Sequence, residues 1–134
     1  MSKTRTTTIA IAGLLICLGG VFSSNSQRGN AQEAASKAKL ERAIDAARAT
    51  LEAADNSYRI GTTNAEDIYR WSARLMQAER KANPNNRQAV LDHVARMRTL
   101  HDVVAEKYKI GAKGGSAEEY YAARYYLAEA EAEQ

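Results

Sequence analysis

The sequence predicts an all-α protein of two tandem helix-turn-helix units, arranged as an antiparallel, coiled-coil-like set of four helices. First, Tyr58-Arg59-Ile60-Gly61 recurs fifty residues later as Tyr108-Lys109-Ile110-Gly111. Second, apolar residues follow one another in steps of four and three, which places a narrow seam along one side of a helix. Third, no stretch alternates with period two over the length of a strand.

Residues 1–31 differ from the rest of the chain and predict a secretory signal peptide. Basic Lys3 and Arg5 precede an apolar run, Ile9 to Phe22, and a polar stretch with small residues follows. Because the run is shorter than the roughly 20 residues that span a bilayer, we expect the leader to be cleaved and the chain to enter the periplasm. The alternative is an uncleaved segment, residues 7–22, that anchors the chain to the inner membrane.

Charge and cysteine content narrow the functions of the exported part. The whole chain has 19 Lys and Arg against 16 Asp and Glu, but three basic residues precede Ala31 and no acid precedes Glu33. The remainder is therefore balanced and gives no support for nucleic-acid binding. Cys17 is the only cysteine and lies in the leader, so the exported part has no thiol chemistry.

The four helices are predicted from their apolar seams. The outgoing helices carry Leu40, Ile44, Ala47, Leu51, Ala54 and Tyr58, and then Val90, Val94, Met97, His101, Val104 and Tyr108. The return helices carry Ile68, Trp71, Leu75, Ala78 and Ala82, and then Tyr120, Ala123, Leu127 and Ala130. These seams place helices at 34–60, 65–82, 86–110 and 117–132, within a first hairpin, 34–82, and a second hairpin, 86–134.

Residues at the predicted helix ends support these boundaries. Gly61 and Gly111 are expected just past a helix end, where glycine takes the left-handed conformation without penalty. Asn64 and Ser116, each with an acid three residues on, are expected N-caps. Pro84 separates the two hairpins and is expected in the first turn of the third helix.

Alanine is frequent at or beside the seam positions. Small side chains let helices approach closely, but at about 0.8 kcal/mol per buried methylene each one contributes little. We therefore expect a thin core that Trp71, the tyrosines and self-association supplement, and either a marginal monomer or an oligomer.

The repeated segment resembles the periplasmic hairpin repeat of the outer-membrane efflux protein family, the TolC type. In that family a helix ends in Tyr-x-x-Gly and the return helix carries Leu-x-x-Ala-Glu. The matching positions are Tyr58, Gly61, Asn64, Asp67, Ile68, Leu75, Ala78 and Glu79, and then Tyr108, Gly111, Ser116, Tyr120, Leu127, Ala130 and Glu131. The likeness covers most of residues 40–134. Without the family's β-barrel strands, it implies a detached hairpin module of the cell envelope.

The resemblance also implies that the turns dock onto a partner. In the family, a basic residue before the glycine and an aliphatic residue after it contact periplasmic adaptor proteins. The corresponding positions are Arg59, Gly61 and Thr62 in the first copy, and Lys109, Gly111 and Ala112 in the second. Thr62 and Ala112 depart from the family pattern because neither is a large aliphatic residue. Arg59 and Lys109 have a second explanation, since cations stabilise helix C-termini.

Four tyrosines are candidates for an interface, because tyrosine is common where proteins meet. They are Tyr58, Tyr108, Tyr121 and Tyr125. The last two form an i, i+4 pair within a cluster that includes Tyr120 and Tyr126. The alternative is that Tyr120 packs in the seam and its neighbours cover the alanine-rich face of the next helix.

His93, Met97 and His101 stand four residues apart along one predicted helix and could bind a soft metal ion such as copper or silver. The alternative is packing, with Met97 and His101 in the seam and His93 exposed. Since no fourth ligand is suggested nearby, we expect no metal and no cofactor. The sequence also lacks a phosphate loop, a paired-cysteine site, an HExxH run and a Gly-x-Ser-x-Gly elbow, so we expect no enzyme activity.

The sequence thus predicts a non-enzymatic, exported cell-envelope protein whose hairpins bind another coiled-coil envelope protein or a second copy of the chain. The resemblance implies a link to efflux across the membrane. We expect no nucleic-acid partner and no membrane contact except through an uncleaved N-terminal segment. The alternatives are a self-sufficient structural or stress-type periplasmic bundle and a metal-buffering protein that uses His and Met.

Overall fold

The computed structural model of the chain describes residues 24–134, and their side chains from Asn30 onward. They form α1 (Ser24–Arg59), α2 (Ala65–Ala82), α3 (Arg87–Lys109) and α4 (Ala117–Ala132). Within that range there is no strand, so the all-α prediction is confirmed. The predicted anchor, residues 7–22, and most of the predicted leader, residues 1–31, lie outside the described residues. None of the four described helices is long and apolar enough to cross a membrane.

The helix boundaries agree with the sequence prediction to within one residue except at the start of α1. The predicted bounds of α2 and α4 are confirmed, and α3 is one residue shorter at each end. The prediction that the first helix begins at residue 34 is wrong, because the chain is already helical at Ser24. Gly29 lies inside this helix, and a single glycine costs only about 1 kcal/mol relative to alanine. The surrounding alanines and long polar residues are compatible with helix. The helix therefore includes the last residues of the predicted leader, 1–31, and the leader itself stays a prediction.

The other three helices all contact α2. α1 packs against α2, α3 packs against α4, and α2 also contacts α3 and α4. No Cα atom of α1 lies within 8 Å of a Cα atom in α3 or α4. Apart from side-chain contacts at the turns, α2 is therefore what joins α1 to the other two helices.

The core lies mainly between α2, α3 and α4. Its buried residues are Tyr58, Ala65, Ile68, Val94, Met97, Leu100, Val104, Ala123 and Ala130, and a smaller cluster contains Met76, Ala89 and Val90. Along α3 the predicted seam is buried from Val90 to Val104 except at His101, which is half-buried. Along α1, by contrast, Leu40, Ile44 and Leu51 are only half-buried.

α1 also extends well beyond its neighbour. It has 36 residues and α2 has 18, so about half of α1 has no α2 residue beside it. The side chains of residues 30–37 are all exposed. Residues 30–37 therefore pack against no described element.

The predicted helix ends are confirmed at both turns. Gly61 and Gly111 have positive φ, 76° and 64°. The amide after each glycine donates to a carbonyl five residues back, at 2.9 Å in both copies, the hydrogen bond that defines a Schellman motif. Asn64 and Ser116 cap α2 and α4, since their side chains accept the backbone N–H groups three residues on.

The prediction for Pro84 is wrong. α3 begins at Arg87, and Asn86 is its N-cap, accepting the backbone N–H of Ala89 at 3.3 Å. Pro84 lies two residues before this cap, in the turn between α2 and α3. The cap hydrogen bond fixes where the helix starts, and the proline ring only shapes the turn that leads to it.

Candidate functional site

The two turns, residues 60–64 and 110–116, lie side by side at one end of the molecule, which we call the turn end. The Tyr58 hydroxyl donates to the Gly114 carbonyl at 2.9 Å. The Lys107 ammonium donates to the Tyr58 carbonyl at 3.2 Å and lies 3.8 Å from the centre of the Tyr58 ring. These contacts fasten the end of α1 to the end of α3.

Two glycines of the second turn make room for this contact. Gly114 has a φ of 81°, which a residue with a side chain would adopt only with strain. Gly115 is buried against the backbone of Lys107 and Tyr108, where an added Cβ would collide. The second turn is two residues longer than the first, and it brings the Gly114 carbonyl to Tyr58.

Tyr58 is buried between the turns, with 2% of its surface exposed. The interface prediction for this residue is wrong, because its own chain covers the ring. Burial, and secondly the charge of Glu119, raise the pKa of Tyr58 to about 12. The hydroxyl therefore remains protonated, as donation to the Gly114 carbonyl requires.

Two isoleucines project from the turn end into solvent. Ile60 is 77% exposed and Ile110 is 69% exposed. They occupy the same position in the two copies, immediately before the turn glycines. We did not select them from the sequence, although an apolar residue at a helix end has no following turn of helix to cover it. Single exposed apolar residues are common, but two at equivalent positions on adjoining turns suggest a contact surface.

The predicted docking residues surround these isoleucines. Arg59 pairs with Asp55 at 2.8 Å, and the Lys109 ammonium lies 3.9 Å from Glu106. Thr62 is exposed and its hydroxyl donates to the Ser57 carbonyl at 3.1 Å, whereas Ala112 is half-buried. The structure thus brings both sets of predicted docking residues together at the turn end, with their cations partly balanced by acids of their own helices.

The tyrosines of α4 divide into packed and exposed members. Tyr120 stacks on Tyr108 with ring centres 5.1 Å apart, and Tyr126 stacks on Tyr69 at 4.2 Å. Tyr121 and Tyr125 are each 61% exposed. The packing alternative therefore holds for Tyr120 and Tyr126, and Tyr121 and Tyr125 remain open to a partner.

Glu129 of α4 is hydrogen-bonded to two tyrosines of this cluster. It accepts hydrogen bonds from the hydroxyls of Tyr69 and Tyr125. The bond to Glu129 is the main reason that the pKa of Tyr69 is raised, and burial adds to it. The bond from Tyr69 joins α2 to α4 at the edge of the core, and the bond from Tyr125 lies within α4.

A buried polar cluster joins α2 to α3. The Ser72 hydroxyl lies 2.8 Å from Nδ1 of His93 and accepts a hydrogen bond from Nε of Arg96 at 2.7 Å. Our expectation that His93 is exposed is wrong, because only 2% of its surface is accessible and Ser72 is fully buried. Burial, with a contribution from Arg96, lowers the pKa of His93 to about 4. The imidazole is therefore neutral near pH 7.

The three candidates for metal binding occupy different surroundings. His93 and Met97 are buried in the core. His101 is half-buried, with Nδ1 3.1 Å from a carboxylate oxygen of Asp102. Among residues 24–134, no group of three or more His, Cys, Asp or Glu side chains is placed to hold a metal ion.

One further feature could not be recognised from the sequence. A groove of about 720 Å³ lies between α1 and α3, with α2 as its floor. Its walls carry the half-buried Leu51 on one side and Leu100 and Val103 on the other. The groove exists because α1 and α3 both pack on α2 while their backbones stay apart, which seam spacing alone does not determine.

We compared the chain with protein-family models, with curated proteins and with solved structures. The resemblance to the TolC-type hairpin depends on the repeated Tyr-x-x-Gly and Leu-x-x-Ala-Glu segments of the sequence. In all three comparisons the chain has no significant match.

Proposed function

We propose that this chain is a non-enzymatic, exported cell-envelope protein whose two tandem helical hairpins act as a coiled-coil binding or scaffolding module. The observation that carries the proposal is the turn end, where two adjoining turns each project an exposed isoleucine. The partner is another long coiled coil of the envelope, or a second copy of the chain. The Tyr-x-x-Gly turns, which resemble those of efflux proteins, favour a partner that belongs to an export system.

Rigidity of the turn end supports a binding role. Tyr58, Lys107 and Gly114 hold the two turns together, so Ile60 and Ile110 keep a fixed spacing before any partner arrives. A preorganised surface loses less conformational entropy on association. Burial of a side chain of this size contributes roughly 1.5–3 kcal/mol, so two of them could anchor a contact.

Aromatic side chains extend this surface along α4. Tyr108 is 45% exposed and stacks on Tyr120, which in turn contacts Tyr121 edge to face at 5.5 Å. Tyr125 follows one helical turn later. Tyrosine is enriched among residues that dominate binding energy, so a partner helix lying along α4 would meet side chains suited to an interface.

Site-specific crosslinking in cells tests the proposal. A photoreactive residue at position 62 or 112 should crosslink to a coiled-coil envelope protein or to a second copy, identified by mass spectrometry. The same residue at Gln88, an exposed position at the opposite end of α3, is the control. Exchange of both Ile60 and Ile110 for serine should abolish the products. Equal crosslinking from positions 62, 112 and 88 would contradict a docking role.

The alternative of a self-sufficient structural bundle is favoured by the fastened turns and by a main core cluster whose buried residues, apart from Tyr58, all come from α2, α3 and α4. In that case the melting temperature should be independent of protein concentration, whereas a module that assembles with itself should melt higher at higher concentration. A metal-buffering role receives no support from His93 and Met97, because both are buried among core residues.

A further inference from the structure

The groove between α1 and α3 is long, narrow and mainly apolar. Along α1 it runs from Arg48 to Arg59, roughly 16 Å at 1.5 Å per residue. Ile68 and Leu75 of α2 form its floor, and Leu100 of α3 is part of its wall. Its volume of about 720 Å³ lies within the roughly 300–1,000 Å³ of small-molecule sites.

One side chain of the groove has unused hydrogen-bond donors. The Nε atom of Arg96 donates to Ser72, but Nη2 is buried and has no hydrogen-bond partner among the described residues. Within the same part of the chain, Arg96 is in no ion pair. Nη1 also makes no hydrogen bond to the described residues and is not one of their fully buried atoms, so it is the donor that a molecule in the groove can reach. A partly buried guanidinium whose N–H groups lack partners is unfavourable.

The acids near Arg96 are engaged elsewhere. Glu79 accepts from Arg48 at 3.2 Å, and Asp92 accepts from Gln88 at 2.7 Å. Their charges act on Arg96 and oppose the effect of burial, which is the larger influence and lowers its pKa. The chain itself therefore places no carboxylate against the guanidinium, although the groove beside it is open.

We propose that this groove binds an unbranched apolar chain that ends in a carboxylate, with the carboxylate on Arg96 and the tail between α1 and α3. Glu79, Asp92 and Arg48, whose charges act on Arg96, lie in the half of the groove away from the turn end. The carboxylate occupies that half, and the tail runs towards Ile68 and Val103. A medium-chain fatty acid has this chemistry. The site is separate from the turn end and does not depend on the function proposed for it.

Calorimetric titration of the purified protein with decanoate tests the assignment. Decanoate and the two comparison compounds, decanol and decyltrimethylammonium, are each kept below the micellar concentration. Decanoate should bind about tenfold more tightly than decanol, because a hydrogen bond to a charged group contributes at least one order of magnitude in affinity. Decyltrimethylammonium should bind more weakly still, since its charge opposes that of Arg96.

Variants locate the binding. Arg96→Met should weaken decanoate about tenfold and leave decanol unchanged. Asp92→Asn should strengthen decanoate, because it removes a neighbouring negative charge. Arg98→Met is the matched control, since Arg98 lies on the same helix but pairs with Glu131 at 2.8 Å, and it should behave as the unmodified protein. If circular dichroism shows that Arg96→Met is unfolded, Arg96→Lys takes its place and should weaken decanoate by a smaller factor.

The apolar wall is tested at Val103, which is already 39% exposed, so its exchange for serine should leave the fold intact. Val103→Ser should weaken decanoate and decanol alike. Equal decanoate affinity in the Arg96 and Arg98 variants, or equal affinity for decanoate and decanol, would overturn the proposal. So would sedimentation that shows a dimer dissociated by Val103→Ser, because the groove would then be an interface between copies.

Discussion

Tyr58 and Tyr108 occupy the same position in the repeat but have opposite surroundings. Tyr58 is 2% exposed and donates to the second turn, whereas Tyr108 is 45% exposed and stacks on α4. The two extra residues of the second turn, with its glycines, bring a carbonyl to Tyr58, and the shorter first turn offers nothing similar to Tyr108. A small difference in loop length thus gives two nearly identical segments different roles, one structural and one exposed.

The outgoing helices show the same asymmetry. α3 lies between α2 and α4 and buries its seam, whereas the backbone of α1 approaches only that of α2 and the seam of α1 is half-covered. His93 is buried, and the residue fifty positions earlier, Ala43, is exposed. The second unit therefore contains most of the core, and four measurements test this comparison.

The largest difference should separate Tyr58→Ala from Tyr108→Ala. Removal of a buried aromatic ring lowers the free energy of unfolding by about 3–5 kcal/mol, so Tyr58→Ala should approach that range. Tyr108→Ala should lose about 1 kcal/mol, the value of an aromatic contact at the surface. Urea denaturation at neutral pH measures both, with Tyr58→Phe as the variant that removes only the hydrogen bond. Equal losses at the two positions would show that the turns are not fastened as described.

The buried histidine of the second unit should make stability depend on pH. Because the folded-state pKa of His93 is about 4, below the usual 6.5, the unfolded chain binds the proton more readily between these values. The contribution of neutral His93 to the free energy of unfolding should therefore be fully present well above pH 6.5. The free energy of unfolding should fall by about 3 kcal/mol at most as the pH drops towards 4. His93→Gln should remove this part of the pH dependence. An unchanged profile in that variant would assign the acid sensitivity to other groups.

Matched truncations of the two seams should differ by a smaller amount. Val94 is 2% exposed, and Val94→Ala should cost about 2 kcal/mol for lost transfer energy and the cavity left behind. Ile44, fifty residues earlier, is half-buried, so Ile44→Ala should cost about 1 kcal/mol although it removes more atoms. Thermal and urea unfolding of both variants would measure the difference. A larger loss at Ile44 would mean that α1 is covered in solution, by a ligand or by another chain.

The smallest difference is expected at the turn glycines, where the two copies are alike. Gly61→Ala and Gly111→Ala should each cost about 1–2 kcal/mol, since a left-handed backbone is unfavourable for alanine. An added Cβ at Gly61 would lie 3.4 Å from the Lys113 side chain. An added Cβ at Gly111 would have no neighbouring atom of the described residues within 4 Å. Because a lysine side chain is flexible, the two values should agree within about 0.5 kcal/mol.

Local features of this fold were predictable from the sequence and long-range ones were not. The turn glycines and the caps at Asn64 and Ser116 depend on neighbouring residues, so the repeat sufficed to identify them. The positions of Tyr58 and His93 depend on which helices meet, and seam spacing does not determine the partner of a seam. The polar cluster around Ser72 was missed for the same reason, since its members come from two helices.

The candidate site was predictable in part. The residues before and after Gly61 and Gly111 lie in the two turns that the repeat marks, but that both turns meet at one end of the molecule was not predicted. Ile60 and Ile110 stood within the repeated motif and could have been selected as apolar residues at helix ends. The groove at Arg96, however, results from the separation of α1 and α3, which no motif in the sequence encodes.

The free half of α1 determines how far the turn end stands from residue 24. Its 36 residues measure about 54 Å along the axis at 1.5 Å per residue, and α2 accompanies only the last half of that distance. Because the side chains of residues 30–37 are all exposed, the length of this part of α1 can change without a change in the described core. Deletion of seven residues there would shorten the reach by roughly 10 Å and leave each packed contact in place.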